Sequence, residues 1–301
     1  MDLRLTSDQT ALLAAIEGLS SRFQEKPIDF HGFALEGVEL AQQLTDGAFF
    51  DTVATPGLGP VTAALAVERL ARLPYAAEVA LSMLVRPHVR GGDMPRPFAL
   101  VERGRPGRFV ASARTLLVAD GDTFRVALSR PDAVQAVESI YAYPMAKLVR
   151  ELLTKSLPAK EASEVRTWLR VALAAEAAGL MQGAIDSTVA HLSVRKQFGR
   201  PLGTFQALRH RLAECAVLAG GVKWLALKAA STADAGDAAL AAFHAQDSVT
   251  RVVYDLHQML GAMGMTLEHP LHLWTYRLKA LLSSLGGRGG QANAVGRHCF
   301  T

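Results

Sequence analysis

Val194-Arg195-Lys196-Gln197-Phe198-Gly199-Arg200-Pro201-Leu202-Gly203-Thr204-Phe205-Gln206 is a short break between two long apolar helical patterns. Gly199, Pro201 and Gly203 punctuate the helix. Arg195 offers a planar fork of donors suited to a phosphate, and Phe198 offers a flat apolar face. A plain helix–helix turn carrying a solvated arginine has the same composition, so the residue types alone leave both readings open.

The flanks of this break are helical. Glu161 to Val194 reads as one Ala-rich amphipathic helix in which Gly179 and Gly183 permit close approach of a neighbour. A second helix is expected from about Phe205 to Ala233, a turn at Asp234-Ala235-Gly236-Asp237, a third helix to about Gly261 and a fourth over about Pro270 to Ser284. Together they predict an antiparallel four-helix bundle. The glycine-dense run Gly286-Gly287-Arg288-Gly289-Gly290 predicts a mobile or irregular tail.

A second informative stretch is His257-Gln258-Met259-Leu260-Gly261-Ala262-Met263-Gly264-Met265-Thr266-Leu267-Glu268-His269-Pro270-Leu271-His272. Gly261 and Gly264 end the preceding helix and leave backbone N–H groups uncrowded for a ligand, although a simple glycine C-cap would look the same.

Upstream, Thr6-Ser7-Asp8 caps a helical pattern through Leu12, Leu13, Ile16, Leu19 and Phe23. Further helices are expected over Gly37 to Thr45 and, after the turn Pro56-Gly57-Leu58-Gly59-Pro60, over Val61 to Leu73. From about Val79 the pattern changes. Pro87, Gly91, Gly92, Pro95, Pro97, Gly104, Pro106 and Gly107 separate short apolar runs that read as strands: Phe98–Val101, Phe109-Val110, Leu116–Val118 and Phe124–Leu128. Gly121-Asp122 suits the hairpin between the last two, with Asp120-Gly121 as a competing register. The expected organisation is an N-terminal helical domain (1–85), a short middle β domain (86–150) and a C-terminal bundle domain (151–301).

Bulk properties exclude several classes. A chain of 301 residues is long enough for more than one subdomain around a sizeable core. Half its residues are hydrophobic and the mean hydropathy is +0.17. No uninterrupted apolar run reaches the roughly 18 to 20 residues of a membrane span. The first residues show no secretory signal, so a cytoplasmic protein is expected. The net charge of +4 comes from scattered basic residues interleaved with acids, not from a stripe of the kind that binds nucleic acid, and it suits an anionic small ligand equally well. Cys215 and Cys299 are too few for a disulfide framework or a thiolate zinc site, and Glu214 and Ala216 give Cys215 no cue of a reactive thiolate. His257, His269 and His272 lack surrounding carboxylates and read as packing or surface histidines, so no metal is expected. No G-x-S-x-G motif marks a serine nucleophile.

The run Arg195-Lys196-Gln197-Phe198-Gly199-Arg200-Pro201-Leu202-Gly203-Thr204-Phe205-Gln206 resembles the flavin-contacting signature of acyl-CoA dehydrogenases. Gln258, Gly261 and Gly264 are similar to that family's Q-x-x-G-G-x-G segment, with Ala262 at a usual glycine position. The first helix, Leu5 to Phe23, is also similar. The resemblance runs along nearly the whole chain and is specific from about Arg166 to Leu282. It implies a mainly α fold with an N-terminal helical domain, an abbreviated middle β domain and a C-terminal four-helix bundle. It also implies FAD shared across a subunit interface. Residue by residue, Arg195 would bind the FAD pyrophosphate, Phe198 would pack beside the dinucleotide, Gln206 and Gln258 would supply amide hydrogen bonds, and Gly261 and Gly264 would admit the adenosine part.

Other family features are absent. Neither the T-E-P-x-x-G-S-D strand nor a W-I-T-N-like strand that flanks the isoalloxazine is present. Trp168, Trp224 and Trp274 all fall in expected helices, and Pro87 to Arg108 contains no Thr or Ser. The family needs one carboxylate to take the substrate's α-proton. Its two known positions correspond here to about Leu285-Gly286 and to Leu169 beside Arg170. Glu176 and Glu268 are the remaining carboxylates. Glu176, inside Ala174–Ala178, reads as a partly exposed or locally paired helix residue, or as a base if buried with a raised pKa. Glu268 reads as a loop or N-cap carboxylate.

The resemblance therefore implies a flavin-completing subunit of a heteromeric acyl-CoA dehydrogenase, of the α2β2 kind found in bacterial steroid side-chain degradation. Its partners would be a paralogous subunit or itself, an acyl-CoA substrate and electron-transfer flavoprotein as acceptor. A self-sufficient homomeric dehydrogenase and a flavin-free helical scaffold are the competing readings.

Overall fold

The computed structural model describes residues 4–26, 32–90, 92, 94–102 and 104–300. The expected break at Gly91, and Met1, Asp2 and Leu3 of the start that was read for a secretory signal, lie outside them.

α1 (Ser7–Gln24) opens with a capping box. Gln9 N–H donates to Thr6 Oγ1 at 3.3 Å, and Thr6 N–H donates to Gln9 Oε1 at 2.9 Å, so two donors at the helix start are satisfied together. Leu13, Ile16, Leu19 and Phe23 form its buried stripe, as their spacing predicts. α2 (Val38–Asp46) and α3 (Gly59–Ala71) follow where expected. α4 (Ala80–Leu84) was not expected, because the sequence changes character at Val79. It is short, and Glu78 holds its start by accepting from Leu81 N–H at 3.0 Å and Ser82 N–H at 3.1 Å.

The middle segment forms two small sheets. β1 (Phe98–Glu102), β3 (Thr115–Asp120), β4 (Thr123–Leu128) and β7 (Lys155–Ser156) make one, in the order β1-β3-β4-β7. β2 (Gly107–Arg108), β6 (Met145–Leu148) and β5 (Val134–Val137) make the other, in the order β2-β6-β5. Asp120 pairs with Thr123, which selects Gly121-Asp122 over Asp120-Gly121 as the hairpin turn. Phe109-Val110 is not a strand. Phe109 turns the chain at φ +61°, and both residues are buried, Val110 in the core between the sheets and Phe109 against Tyr143 and Ala76. β5, β6 and β7 escaped the sequence reading because their burial does not alternate cleanly.

α5 (Ala159–Val194) is the axis of the molecule, packed against α3, α4, α6, α7 and α8. Its glycines bring neighbours to backbone distance. A Cβ at Gly179 would overlap Glu68 O and lie 2.8 Å from Ala71 Cβ; one at Gly183 would overlap Trp274 Nε1 and lie 2.5 Å from Arg72 O. Trp274 Nε1–H donates to that same Arg72 carbonyl at 2.8 Å, which ties α3, α5 and α8 together.

α6 (Gln206–Thr232), α7 (Ala235–Leu260) and α8 (His272–Leu281) complete the C-terminal bundle. Asp234 caps α7 through Gly236 and Asp237 N–H, both at 2.9 Å. The glycine-dense tail is not irregular: Gly287–Phe300 is a further helix, α9, packed on α7. Leu285, Gly286 and Gly287 at φ +57°, +85° and +65° reverse the chain before it. Buried Gln291 then anchors it, donating to Leu285 O at 2.9 Å and accepting from Arg170 Nε at 2.8 Å. Tertiary packing overrides the poor helix propensity of the glycines here. Among the described residues no helix is long and apolar enough to cross a membrane.

Candidate functional site

A cavity of about 400 Å³ opens where α4, α5, β1, β2 and the segment Ser283–Leu285 meet. Leu169 and Leu285 both line it, together with Glu78, Glu102 and Glu176. The two leucines are distant in sequence, yet the fold brings them to one space. Neither can accept a proton.

The carboxylates are held in different ways. Glu176 is buried, and Arg108 Nη1 donates to its Oε1 and Oε2 at 2.7 and 2.8 Å. Tyr143 O–H donates to the same Oε1 at 2.6 Å. Its partner therefore comes from β2, across the structure, and not from its own helix. Burial opposes the charge on Arg108, but the Glu176 carboxylate and Tyr143 more than offset it, so the guanidinium stays protonated. Burial, and after it the Glu176 charge, pushes the Tyr143 hydroxyl up. Both oxygens are engaged by a cation, and Oε1 also by a phenol, so Glu176 is a member of a buried ion-pair network.

Glu78 is buried as well, accepting from Leu81, Ser82 and Phe98 N–H and from the Ser82 hydroxyl. Burial still raises its pKa, against those hydrogen bonds. Glu102 sits at the cavity mouth and accepts from Leu285 N–H at 3.0 Å. Burial raises its pKa too, with Arg105, Arg108 and Arg166 opposing. No sequence motif signals Arg108, Tyr143, Glu78 or Glu102 as neighbours; the two sheets assemble them from short runs without periodicity.

The signature residues lie elsewhere, at the C-terminal ends of α5 and α7. Lys196-Gln197 (β8) pairs with Arg200-Pro201 (β9) as a small hairpin whose turn is Phe198-Gly199, at φ +54° and +77°. A non-glycine residue at such a φ is uncommon and worth a functional question. Phe198 is 87% exposed and meets Phe205 edge-on at 6.0 Å. Arg195 caps α5, its side chain exposed, and Gln206 is the exposed first residue of α6. Among the described residues no ion pair or side-chain hydrogen bond engages Arg195.

Gln258, Gly261, Ala262 and Gly264 line a separate, largely apolar hollow of about 570 Å³ with Tyr254, Met265 and Tyr276. Gly261 turns the chain at φ +61° with open space where a Cβ would point, whereas a Cβ at Gly264 would lie 2.6 Å from His257 O. The rings of His191 and His269 meet at 5.2 Å, which sets the loop after α7 beside the end of α5. Both signature groups thus occupy one end of the bundle. Arg195, Phe198 and Gln206 are not among the residues that line the hollow at Gly261.

The histidines hold this end together. His257 bonds Gly264 O through Nδ1 and Thr275 Oγ1 through Nε2 at 2.9 Å. His272 bonds His269 O and Gly32 O, each at 3.0 Å. His269 is brought down to about 4 by burial first and then by His191, His272 and His257. Leu271 N–H donates to its Nδ1 at 3.2 Å, as a neutral ring requires. Among the described residues no group of His, Cys, Asp and Glu could hold a metal ion. Glu268 is an exposed loop residue and does not cap α8, which has no side-chain cap. Cys215 is buried, and burial pushes its thiol up to about 11, the opposite of an activated nucleophile.

A helical N-terminal region, a central β region and a helix bundle built on one long axial helix constitute the acyl-CoA dehydrogenase fold. The structure superposes on the ChsE4-ChsE5 complex from Mycobacterium tuberculosis with a TM-score of 0.72, covering 99% of each chain at 20% identity. It superposes on butyryl-CoA dehydrogenase from Megasphaera elsdenii with a TM-score of 0.75, covering 100% of each chain at 20% identity. In sequence, residues 162–299 match the family described as acyl-CoA dehydrogenase, C-terminal domain. Acyl-CoA dehydrogenase FadE34 of Mycobacterium tuberculosis is 32% identical over 215 residues, 67% of this chain and 30% of that protein. The matches span about a third of the length of the curated relatives. Residues 162–299 are thus similar in sequence to the acyl-CoA dehydrogenase C-terminal domain, and the chain as a whole has the acyl-CoA dehydrogenase fold.

Proposed function

We propose that this chain is a subunit of an FAD-dependent acyl-CoA dehydrogenase that completes the flavin site of a partner subunit and leaves proton abstraction to that partner. One observation carries the reading. Arg195, Phe198, Gln206, Gln258 and Gly261 face outward at one end of the bundle, not into the chain's own cavity. Side chains placed this way serve a ligand that a second subunit also holds.

The residues fit a dinucleotide. Arg195, exposed at the end of α5, offers the pyrophosphate a fork of donors. Phe198 offers its face to the dinucleotide, Gln206 and Gln258 their amides, and the hollow at Gly261 and Gly264 takes the adenosine. When bound, FAD supplies the hydride acceptor for α,β-dehydrogenation of an acyl-CoA thioester. The chain's own 400 Å³ cavity has leucine at both family base positions, and Glu176 is committed to Arg108 and Tyr143. This disfavours the self-sufficient homomeric enzyme. The partner is a paralogous acyl-CoA dehydrogenase subunit carrying the base, with electron-transfer flavoprotein as the acceptor. A heteromeric assembly has a parallel in the ChsE4-ChsE5 complex, whose fold this chain shares, and the proposal assigns the enzyme to lipid or steroid degradation in the cytoplasm.

The test is an absorbance spectrum of the chain purified alone and again after coexpression with its genomic neighbour. The expected result is flavin in the coexpressed complex and little or none in the isolated chain. Stoichiometric flavin in the isolated chain, with turnover of acyl-CoA, would refute the proposal.

A further inference from the structure

Arg277, on α8, is 3% exposed and lies beside the Glu176 network. Each of its nitrogens donates to a main-chain carbonyl: Nε to Leu273 O, Nη1 to Tyr75 O at 2.7 Å and Nη2 to Leu73 O at 2.7 Å. α8 is thereby tied to the chain that leaves α3. A guanidinium has five N–H groups, so each terminal nitrogen keeps one more donor. Burial lowers the pKa of Arg277, and Tyr143 and the Glu176 carboxylate oppose it.

Among the described residues no ion pair joins Arg277 to Glu176, yet both line one small cavity of about 20 Å³. Tyr75 lines it too, and the rest of the lining is apolar. Every lining residue is buried or half-buried. On Glu176, Oε1 accepts from Arg108 and Tyr143, whereas Oε2 accepts from Arg108 alone. A carboxylate oxygen can accept twice. The cavity therefore sits between a carboxylate with acceptor capacity to spare and a cation with donors to spare.

Apolar cavities stay dry, but a polar one holds water when it offers about 10–15 Å³ and two to four polar partners. Both charged groups are buried, so leaving either partly unmatched is costly. Where two polar groups share a cavity without touching, a bridging water serves nearly as well as a direct bond.

We infer that this cavity binds one water molecule, which accepts from an Arg277 terminal N–H and donates to Glu176 Oε2. The ligand is water rather than an ion because the facing charges cancel, and the volume excludes anything larger. The bridge joins three regions: Glu176 on the axial helix α5, Arg108 and Tyr143 from the β region, and Arg277, which holds the chain leaving α3. Glu176, Ala77, Val79 and Ala80 also line the 400 Å³ cavity, so the water lies just behind its wall. With the water in place each Glu176 oxygen accepts two hydrogen bonds, which leaves the carboxylate no lone pair for a ligand in that cavity. The inference does not depend on the function proposed above.

A high-resolution crystal structure of the full chain tests it directly. The expected result is one ordered water about 2.7–3.2 Å from both Glu176 Oε2 and an Arg277 terminal nitrogen. In solution, magnetic relaxation dispersion of water nuclei counts long-lived buried waters. Val67→Ile, at a buried position that lines the cavity, adds a methylene that fills it and so removes one long-lived water from the count. Val217→Ile, exposed on α6, leaves the count unchanged. Should Val67→Ile fail to fold, the crystal structure decides alone. An empty cavity in the crystal, a direct Glu176–Arg277 contact that closes it, or equal counts for wild type and folded Val67→Ile overturns the inference.

Discussion

Replacing Glu176 with glutamine separates a structural role from a catalytic one. The substitution keeps the shape of the side chain but removes the only carboxylate within ion-pair distance of Arg108 among the described residues. Arg108 stays charged, and it is left buried beside an amide and the Tyr143 hydroxyl. Removing one member of a buried pair costs about 3–5 kcal/mol. The Arg108 side chain retains 19% exposure, which places the expected loss at the lower end, about 3 kcal/mol. For a chain of this size that lowers the melting temperature by roughly 6 °C. Scanning calorimetry measures it, and the double variant Arg108→Met/Glu176→Gln recovers part of the loss, because no charge is then stranded. Turnover of the assembled complex, normalised to folded protein, changes by no more than about threefold, whereas loss of a general base costs about 10²- to 10⁴-fold. A variant that melts like wild type, or that folds normally and loses turnover a hundredfold, refutes this account of Glu176.

Arg195→Ala leaves the melting temperature within about 1 °C, because the side chain is exposed, but weakens flavin retention by the complex about tenfold or more; unchanged flavin content after dialysis counts against the proposed contact. Gly183→Ala drives a methyl into Trp274 and Arg72 O and destabilises by about 2–3 kcal/mol, while Gly220→Ala, which meets nothing within 4 Å on α6, stabilises by up to about 1 kcal/mol. Denaturant melts of both variants check the contrast. His269 has a folded pKa of about 4, below its ordinary 6.5, so its contribution to stability is present above pH 6.5 and is lost as pH falls through 4. His269→Gln therefore flattens the decline of stability between pH 6.5 and 4; an unchanged slope shows that His269 is not buried neutral.

The helices were legible where one sequence period met one packing face. Leu13, Ile16, Leu19 and Phe23 in α1, and the length of α5 up to Arg195, were readable because burial and helical spacing coincide there. The same logic found Gly179 and Gly183 as close-approach positions, since an unbroken apolar helix with isolated glycines needs a neighbour at backbone distance. Spacing fails where burial is decided by distant partners. Phe109-Val110 has a strand's composition but fills a buried turn, and β6 pairs with β2 across a long connection that no local pattern announces. The tail shows the limit most clearly. Its glycines argue against a helix, yet α9 forms because Gln291 reaches Arg170 and Leu285, residues 121 and 6 positions away. That one contact also fixes Leu285 at the 400 Å³ cavity. The candidate site residues that the sequence offered lie in continuous motifs, Arg195 to Gln206 and Gln258 to Gly264. Arg108, Tyr143, Glu102 and Arg170 become neighbours only through the sheets and α9, so their roles depend on tertiary pairings and cannot be read from spacing.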